Sequence, residues 1–388
     1  MTHMLDRAIA ARISKSRKSL LLLGARQVGK STFARSLKPD TVINLADEDA
    51  FLGYSKDPGR LGRELRALQK PALVLVDEVQ RIPRLLNTIQ ALLDEASGHR
   101  FLLTGSSARK LKRGQANLLP GRIIVEHLDP LLATELRDNF SLARALRVGM
   151  LPGIYLDEDA GEDILGSYVA TYLREEIQAE ALTRDLGSYA RFLDLAAETS
   201  GQWLNYSKIA SDAEIPKETI RRFFQILEDT LIAFRLPAFE PRRSLRRVSQ
   251  RDRVFIFDVG VRNALLGLHR QPLPATELGG VFEQWLILQT LYTMRASHKP
   301  WRLSSYRTEA GAEVDLIIDT GRSLLAVECK AGRNVRSGSL GGIRSFFEVA
   351  HKPAKAVVVY QGDRRQRLDA RIEAVPFAEF LADQLPAL

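Results

Sequence analysis

The eight residues Gly24-Ala25-Arg26-Gln27-Val28-Gly29-Lys30-Ser31 restrict this chain more than any other stretch. They follow the apolar run Ser19-Leu20-Leu21-Leu22-Leu23 and lead into Thr32-Phe33-Ala34-Arg35-Ser36-Leu37, so strand, glycine-rich turn and helix succeed one another. The pattern G-x-x-x-x-G-K-[ST] is met at every fixed position. A phosphate needs several backbone N–H donors converging on it, and glycines let the chain curl closely enough to supply them. A helix opening at Gly29 adds the positive end of its dipole. Lys30 reaches β- and γ-phosphate oxygens, and the Ser31 hydroxyl can ligate Mg²⁺. Residues Gly24 to Thr32 are therefore expected to hold the phosphates of ATP.

The flanking pattern supports an α/β sheet domain. Thr41-Val42-Ile43-Asn44-Leu45 reads as a strand ending in the acidic loop Asp47-Glu48-Asp49. In Ala72-Leu73-Val74-Leu75-Val76-Asp77-Glu78 the apolar residues run continuously, which argues for burial on both faces of a parallel sheet. Asp77 closes that strand beside the expected phosphate turn and can hold the Mg²⁺ shell; Glu78 is placed to orient and deprotonate an attacking water. Arg100 to Ser107 supplies a fourth strand ending in hydroxyls, and Arg122-Ile123-Ile124-Val125-Glu126 a fifth. From Leu131 to about Leu195 helical patterns take over. The turn Gly149-Met150-Leu151-Pro152-Gly153 interrupts them, and Tyr168 to Glu180 continues as a helix carrying Arg174, Glu175 and Glu176.

Composition bounds the rest. A chain of 388 residues with 45% hydrophobic and 27% charged side chains is an ordinary globular sequence long enough for several cores, so disorder is not the default reading. The formal charge of +9 favours nucleic acid or anionic surfaces as partners. With Cys329 alone, no intramolecular disulfide can form. No run of 18 apolar residues is present, and Met1 to Lys18 lacks the apolar core of a signal peptide. A cytoplasmic protein without a membrane span is expected.

The middle of the chain reads as a helix-turn-helix. Asn205 to Ala213 gives a short helix, Ile215-Pro216 a turn, and Lys217 to Asp229 a second helix. Ile220, Phe223, Phe224, Leu227 and Leu231 form one apolar stripe along it. Pro216 suits a helix start, where its missing N–H would be unpaired anyway. Lys217, Arg221 and Arg222 lie on the outward face. A basic hairpin follows where a wing would be, carrying Arg242, Arg243, Arg246, Arg247, Arg251 and Arg253 before the strand Val254-Phe255-Ile256-Phe257. Clustered arginines neutralise phosphates and release counterions, so DNA is the expected partner. Winged helices also serve as protein-interaction modules.

Pro272 to Gly280 reads as a linker, and Val281-Phe282-Glu283-Gln284-Trp285-Leu286 as the start of an amphipathic helix. Glu313-Val314-Asp315-Leu316-Ile317-Ile318 and Leu324-Leu325-Ala326-Val327-Glu328-Cys329-Lys330 are two strands. Glu on a helix, Asp on a strand and then E-x-K resembles the PD-(D/E)xK nuclease superfamily. In that resemblance Glu283, Asp315 and Glu328 bind Mg²⁺ or Mn²⁺ through hard oxygens, and Lys330 positions or activates the water. A nuclease-like fold used only for binding or assembly is the alternative.

Taken as a whole, the chain resembles a bacterial and archaeal family of AAA+ ATPases that join a P-loop domain to a winged helix and a C-terminal nuclease-like domain of uncharacterised function. The matching stretches are Gly24 to Ser31, Val76-Asp77-Glu78, Leu103-Thr104-Gly105-Ser106, Gly121-Arg122, Phe257-Asp258-Val259-Gly260, Phe282-Glu283, Glu313-Val314-Asp315 and Glu328-Cys329-Lys330. The resemblance implies four regions: a P-loop AAA+ parallel-sheet domain over 1–130, a helical lid over 131–195, a winged helix-turn-helix over 196–270 and an α/β nuclease-like domain over 271–388. It makes Thr104 or Ser106 the sensor 1 residue at the γ-phosphate. It offers Arg122, or Arg113, as an arginine finger reaching a neighbouring subunit in a homo-oligomer such as a hexameric ring. Three activities are expected in turn: ATP-driven work on DNA, including branched or recombination intermediates; an ATP-dependent switch acting on protein partners; and an ATP-gated, metal-dependent DNA nuclease.

Overall fold

The computed structural model describes residues 5–95, 97–106, 121–173, 186–241, 248–335 and 340–388. Ser107, Arg113, Arg174, Glu175, Glu176, Arg242, Arg243, Arg246 and Arg247 lie outside them.

Five strands build the first sheet: β1 (Ser19–Leu23), β2 (Thr41–Asn44), β3 (Leu73–Asp77), β4 (Arg100–Gly105) and β5 (Ile123–His127), in the order β2-β3-β4-β1-β5. Every pairing is parallel, so all carboxyl ends open on one side. The whole of β1 is buried, which is why its leucines do not alternate with polar residues. Helix α1 (Lys30–Ser36) leaves the carboxyl end of β1, and α2 (Leu85–Asp94) lies between β3 and β4 in sequence.

Beyond β5 the chain is helical. Helix α3 (Leu142–Val148) is followed by the glycine turn at Gly149 and the short helix Pro152–Tyr155. Helices α4 (Leu186–Glu198), α5 (Tyr206–Ala213) and α6 (Lys217–Asp229) pack together, and α4 runs across the 195/196 boundary expected from the sequence. Their contact is aromatic: Phe192 meets Phe224 edge-on at 5.0 Å between centroids, and Tyr189 meets Phe223 at 4.9 Å. Of the expected stripe on α6, Ile220, Phe223, Phe224 and Leu227 are buried. Leu231 departs from it, because the helix ends at Asp229 and Leu231 takes φ 63° in the reversal into β6 (Ala233–Leu236). Strand β6 pairs antiparallel with β7 (Arg253–Ile256). One buried cluster runs continuously from Leu20, Leu22 and Val28 through Leu151 and Ile154 to Phe192 and Phe224.

Helix α7 (Val259–Leu265) precedes α8 (Ala275–Ala296), which begins inside the expected linker and takes in Gly279 and Gly280. Each glycine disfavours the helix by about 1 kcal/mol. Burial from Val281 to Tyr292 outweighs that, since one large apolar side chain contributes about 1.5–3 kcal/mol. The same burial makes α8 enclosed on most of its circumference rather than amphipathic.

The second sheet has the order β12-β13-β11-β10-β9-β8, from β8 (Arg302–Arg307), β9 (Glu313–Asp319), β10 (Leu324–Lys330), β11 (Ala354–Tyr360), β12 (Gln366–Asp369) and β13 (Ile372–Pro376). The first three form an antiparallel meander; β10, β11 and β13 are parallel. Two cores flank the sheet. Leu316, Ile318, Leu325 and Val327 pack with Trp285 and Leu286 of α8, while Val314, Ile317, Leu324 and Ala326 pack with Ile343 and Phe346 of α9 (Gly341–Val349). Among the described residues no helix is long and apolar enough to cross a membrane.

Candidate functional site

Close approach dictates one glycine of the P-loop and backbone conformation the other. A Cβ on Gly24 would stand 2.2 Å from the Leu128 carbonyl oxygen, and Gly29 takes φ 90° immediately before α1. Gln27 adopts φ 63° between them. Arg7 braces the loop from outside: its guanidinium donates to Val28 O at 3.0 Å and Asp129 O at 2.6 Å and pairs with Glu135 at 3.1 Å. Lys30 is 5% exposed and its Nζ donates to Gly24 O (3.0 Å) and Ala25 O (2.9 Å), so the ammonium lies within the curl.

The carboxyl ends of β3 and β4 face this loop. Asp77 Oδ1 accepts a hydrogen bond from Ser31 Oγ at 2.9 Å and another from Thr104 Oγ1. Thr104 Oγ1 also accepts the Glu78 N–H at 2.9 Å. The first carboxylate of the strand end and the first hydroxyl of α1 are thus joined, with a buried Thr behind them. Ser31 Oγ and Asp77 are hard oxygen donors of the kind Mg²⁺ takes, and the pair fits such an ion. Glu78 sits at φ 60°, and Gln80 Nε2 donates both to its carboxylate and to Ser106 Oγ, the latter at 2.9 Å. The two hydroxyl candidates therefore differ: Thr104 secures Asp77, and Ser106 reaches Glu78 through Gln80. Gln80 escaped the sequence reading, since nothing marks a glutamine two residues past an acidic pair.

Beside the loop lies a cleft of about 670 Å³, with Gln27, Gly29 and Phe33 on one side and Pro152, Leu156 and Ile164 on the other. Arg122 is remote from it. It stands at the amino end of β5, level with the start of β1, and its guanidinium pairs with Asp94 at the end of α2.

On α6, Lys217, Arg221 and Arg222 are exposed, with Arg221 Nη1 3.1 Å from Glu218. Pro216 precedes the helix and Asn205 caps α5 through Lys208 N. Arg251 is exposed, but Arg253 is not a surface cation. It is 6% exposed, lies 4.9 Å from the Phe255 ring centroid, and donates to Gly201 O at 2.6 Å and Asp315 O at 3.2 Å. Its Nη2 binds the Glu283 carboxylate. Pairing of β7 with β6 and the packing of α8 carry this residue inward.

That inward turn brings a guanidinium to the carboxylates expected to form a metal shell, Glu283, Asp315 and Glu328. The Asp315 carboxylate accepts the Cys329 N–H at 2.7 Å, and Lys330 Nζ donates to Glu328 at 2.7 Å. Among the described residues, no group of three or more His, Cys, Asp or Glu side chains is placed to hold a metal ion. Glu283 is already engaged by a guanidinium, so a divalent cation here would compete with Arg253. Burial, with Asp315 nearby, pushes Glu283 up to about 7 despite Arg253. Asp315 is shifted upward too, by burial and then by Glu328.

Sequence comparison finds three matched segments, the second of which spans the 195/196 boundary expected from the sequence. Residues 16–137 match the AAA domain family, residues 139–272 a Domain of unknown function (DUF8612), and residues 278–380 a Domain of unknown function (DUF4143). Two uncharacterized proteins, of Mycobacterium bovis and Mycobacterium tuberculosis, are each 27% identical over 381 residues, covering 95% of this chain and 83% of theirs. Among solved structures, AMPPCP-bound DnaA from Aquifex aeolicus is 14% identical, over 56% of this chain and 84% of that one. Its TM-score of 0.26 is too low to support an inference. The AAA match covers β1 to β5 and, with the P-loop geometry, supports an AAA-type ATPase with nucleotide-dependent activity.

Proposed function

We propose that this chain binds and hydrolyses ATP at the P-loop and uses the cycle to act on DNA, with branched or recombination intermediates as the substrate class. The observation that carries the reading is the Ser31–Asp77–Thr104 network standing over a loop that also holds Lys30. Backbone N–H groups of Gly24 to Thr32 take the phosphates, and Lys30 exchanges two carbonyl oxygens for phosphate oxygens. Mg²⁺, held through Ser31 and Asp77, supplies charge neutralisation when bound. Glu78, oriented by Gln80, accepts the proton of the water that attacks the γ-phosphorus as the bond to the β–γ bridging oxygen breaks. Thr104 keeps Asp77 in place as that charge develops, and the base lies in the cleft under Pro152 and Leu156.

Arg122 is assigned to a neighbouring copy's nucleotide, because it lies at the end of the sheet opposite its own P-loop. That role requires a homo-oligomer, with a hexameric ring as one form, and the opening of the Asp94 pair. DNA falls to the winged helix-turn-helix, where Lys217, Arg221 and Arg222 are exposed on α6. The buried Arg253 favours a second reading, an ATP-dependent switch for a protein partner, since it subtracts a cation from the expected DNA face.

ATP turnover measured with single-stranded, duplex and four-way DNA separates the two. The first reading expects stimulation that weakens as salt rises and is lost in a Lys217→Ala, Arg221→Ala, Arg222→Ala variant. Turnover indifferent to every DNA at low salt rejects it in favour of the switch.

A further inference from the structure

The stretch Phe257-Asp258-Val259-Gly260 lies far in sequence from the P-loop, yet it is tied to the turn above it. Asp258 is fully buried at the head of α7. One carboxylate oxygen accepts the Val261 N–H at 3.1 Å, capping the helix, and the other accepts the Met150 N–H at 2.7 Å. Gly260 is required by contact, since a Cβ there would lie 2.0 Å from Val148 O. Asn263, one turn on and fully buried, donates to Leu146 O at 2.8 Å and Arg147 O at 2.9 Å. Asn263 thus satisfies two of the last carbonyls of α3, groups every helix end leaves open, while Asp258 takes the Met150 N–H just beyond it. Gly149, at φ 78°, leaves room for the carboxylate: a Cβ there would meet Asp258 Oδ1 at 1.8 Å. Burial raises Asp258 to about 6 even with the Met150, Val261 and Gly260 N–H groups directed at it, so a costly group is held here by its partners.

The turn so held continues into Leu151 and Pro152. Met150 O accepts the Leu131 N–H at 2.8 Å, which fixes the strap from its other side. The Pro152 ring then comes within 3.8 Å of a Cβ position on Gly29, and Pro152 forms part of the cleft wall beside the P-loop. The path from the head of α7 to the phosphate loop is therefore short: buried hydrogen bonds hold Met150, and the half-buried Pro152 carries it on to Gly29 by van der Waals contact.

We infer that Asp258, Gly260 and Asn263 form a positioning clamp that seats the Gly149–Gly153 strap over the P-loop, so that the unit carrying α6 sets the affinity of the pocket for the nucleoside part of its ligand. The inference rests on the reading that the P-loop binds ATP. The phosphate cradle itself comes from β1 and α1, which the clamp does not touch. A loosened strap thus weakens ATP while sparing a ligand that is phosphate alone.

The test compares ATP with inorganic tripolyphosphate, each with Mg²⁺, by equilibrium titration of the full chain. Asp258→Asn turns one of two acceptors into a donor facing an N–H, and ATP binding is expected to weaken about tenfold or more. Tripolyphosphate affinity should stay at the wild-type value. Pro152→Ala, which leaves the clamp intact, should show the same selective loss in smaller degree, and combining the two should cost less than their sum. If Asp258→Asn does not fold, Pro152→Ala decides: selective loss of ATP supports the clamp and an unchanged ratio overturns it. Equal loss of both ligands in Asp258→Asn, or wild-type affinity for both, also overturns it. A wild-type chain that binds neither ligand removes both this inference and the nucleotide reading beneath it.

Discussion

Asp77 and Asp315 are both sheet carboxylates, the first buried and the second half-buried, and their neighbours give them opposite characters. Asp77 is held by two hydroxyls, those of Ser31 and Thr104, and a hydroxyl can turn its hydrogen away and offer its oxygen to a cation instead. Asp315 belongs to a cluster that already contains its cation, the Arg253 guanidinium wedged between Glu283 and the Asp315 carbonyl. A metal entering there must displace a buried ion pair and leave a charge unmatched. The lesson is that acidic residues in the right order do not by themselves define a metal site; what stands opposite them matters as much.

The contrast can be broken first at Arg253. Arg253→Ala leaves Glu283 and two carbonyls without their donor, and urea unfolding should show a loss of about 3–5 kcal/mol. A combined Arg253→Met, Glu283→Leu change should recover most of it, because replacing both partners removes the unmatched charge. If the single variant unfolds at the wild-type midpoint, the pair is not what holds this cluster. At the P-loop the expected effect is on turnover and not on stability. Lys30→Ala removes the charged donor to the developing γ-phosphate and should lower ATP turnover about 10²–10³-fold with little change in melting temperature.

A pH series sharpens the comparison further. The folded-state pKa of Glu283 is raised from 4.5 to about 7. Stability owed to its protonated form is therefore complete below about pH 4.5 and lost as pH rises through 7, by up to about 3 kcal/mol. Glu283→Gln should flatten that part of the stability curve. An equal slope in both proteins would assign the titration to another group.

How much of this was legible in the sequence follows from how local each feature is. The P-loop and the Asp77–Glu78 strand end were readable because their chemistry lies within a few contiguous residues. Asp258 stood out as a motif without a role, since its partner Met150 is 108 residues away. Arg253 was misread as a surface phosphate contact, because a run of arginines looks the same whether each is solvated or buried. Only the β6–β7 register and the packing of α8 separate it from Arg251. The linker expected at Pro272 to Gly280 failed for a related reason. Its glycines are real helix breakers, but packing further along α8 outweighs them.

Counting bound Mn²⁺ by its paramagnetic resonance, with and without ATP, tests the contrast between the two carboxylate sites most directly. The account predicts that the ion binds only when nucleotide is present, and that Asp77→Asn removes it while Asp315→Asn does not. Tight Mn²⁺ binding without nucleotide, kept in Asp77→Asn and abolished in Asp315→Asn, would contradict it.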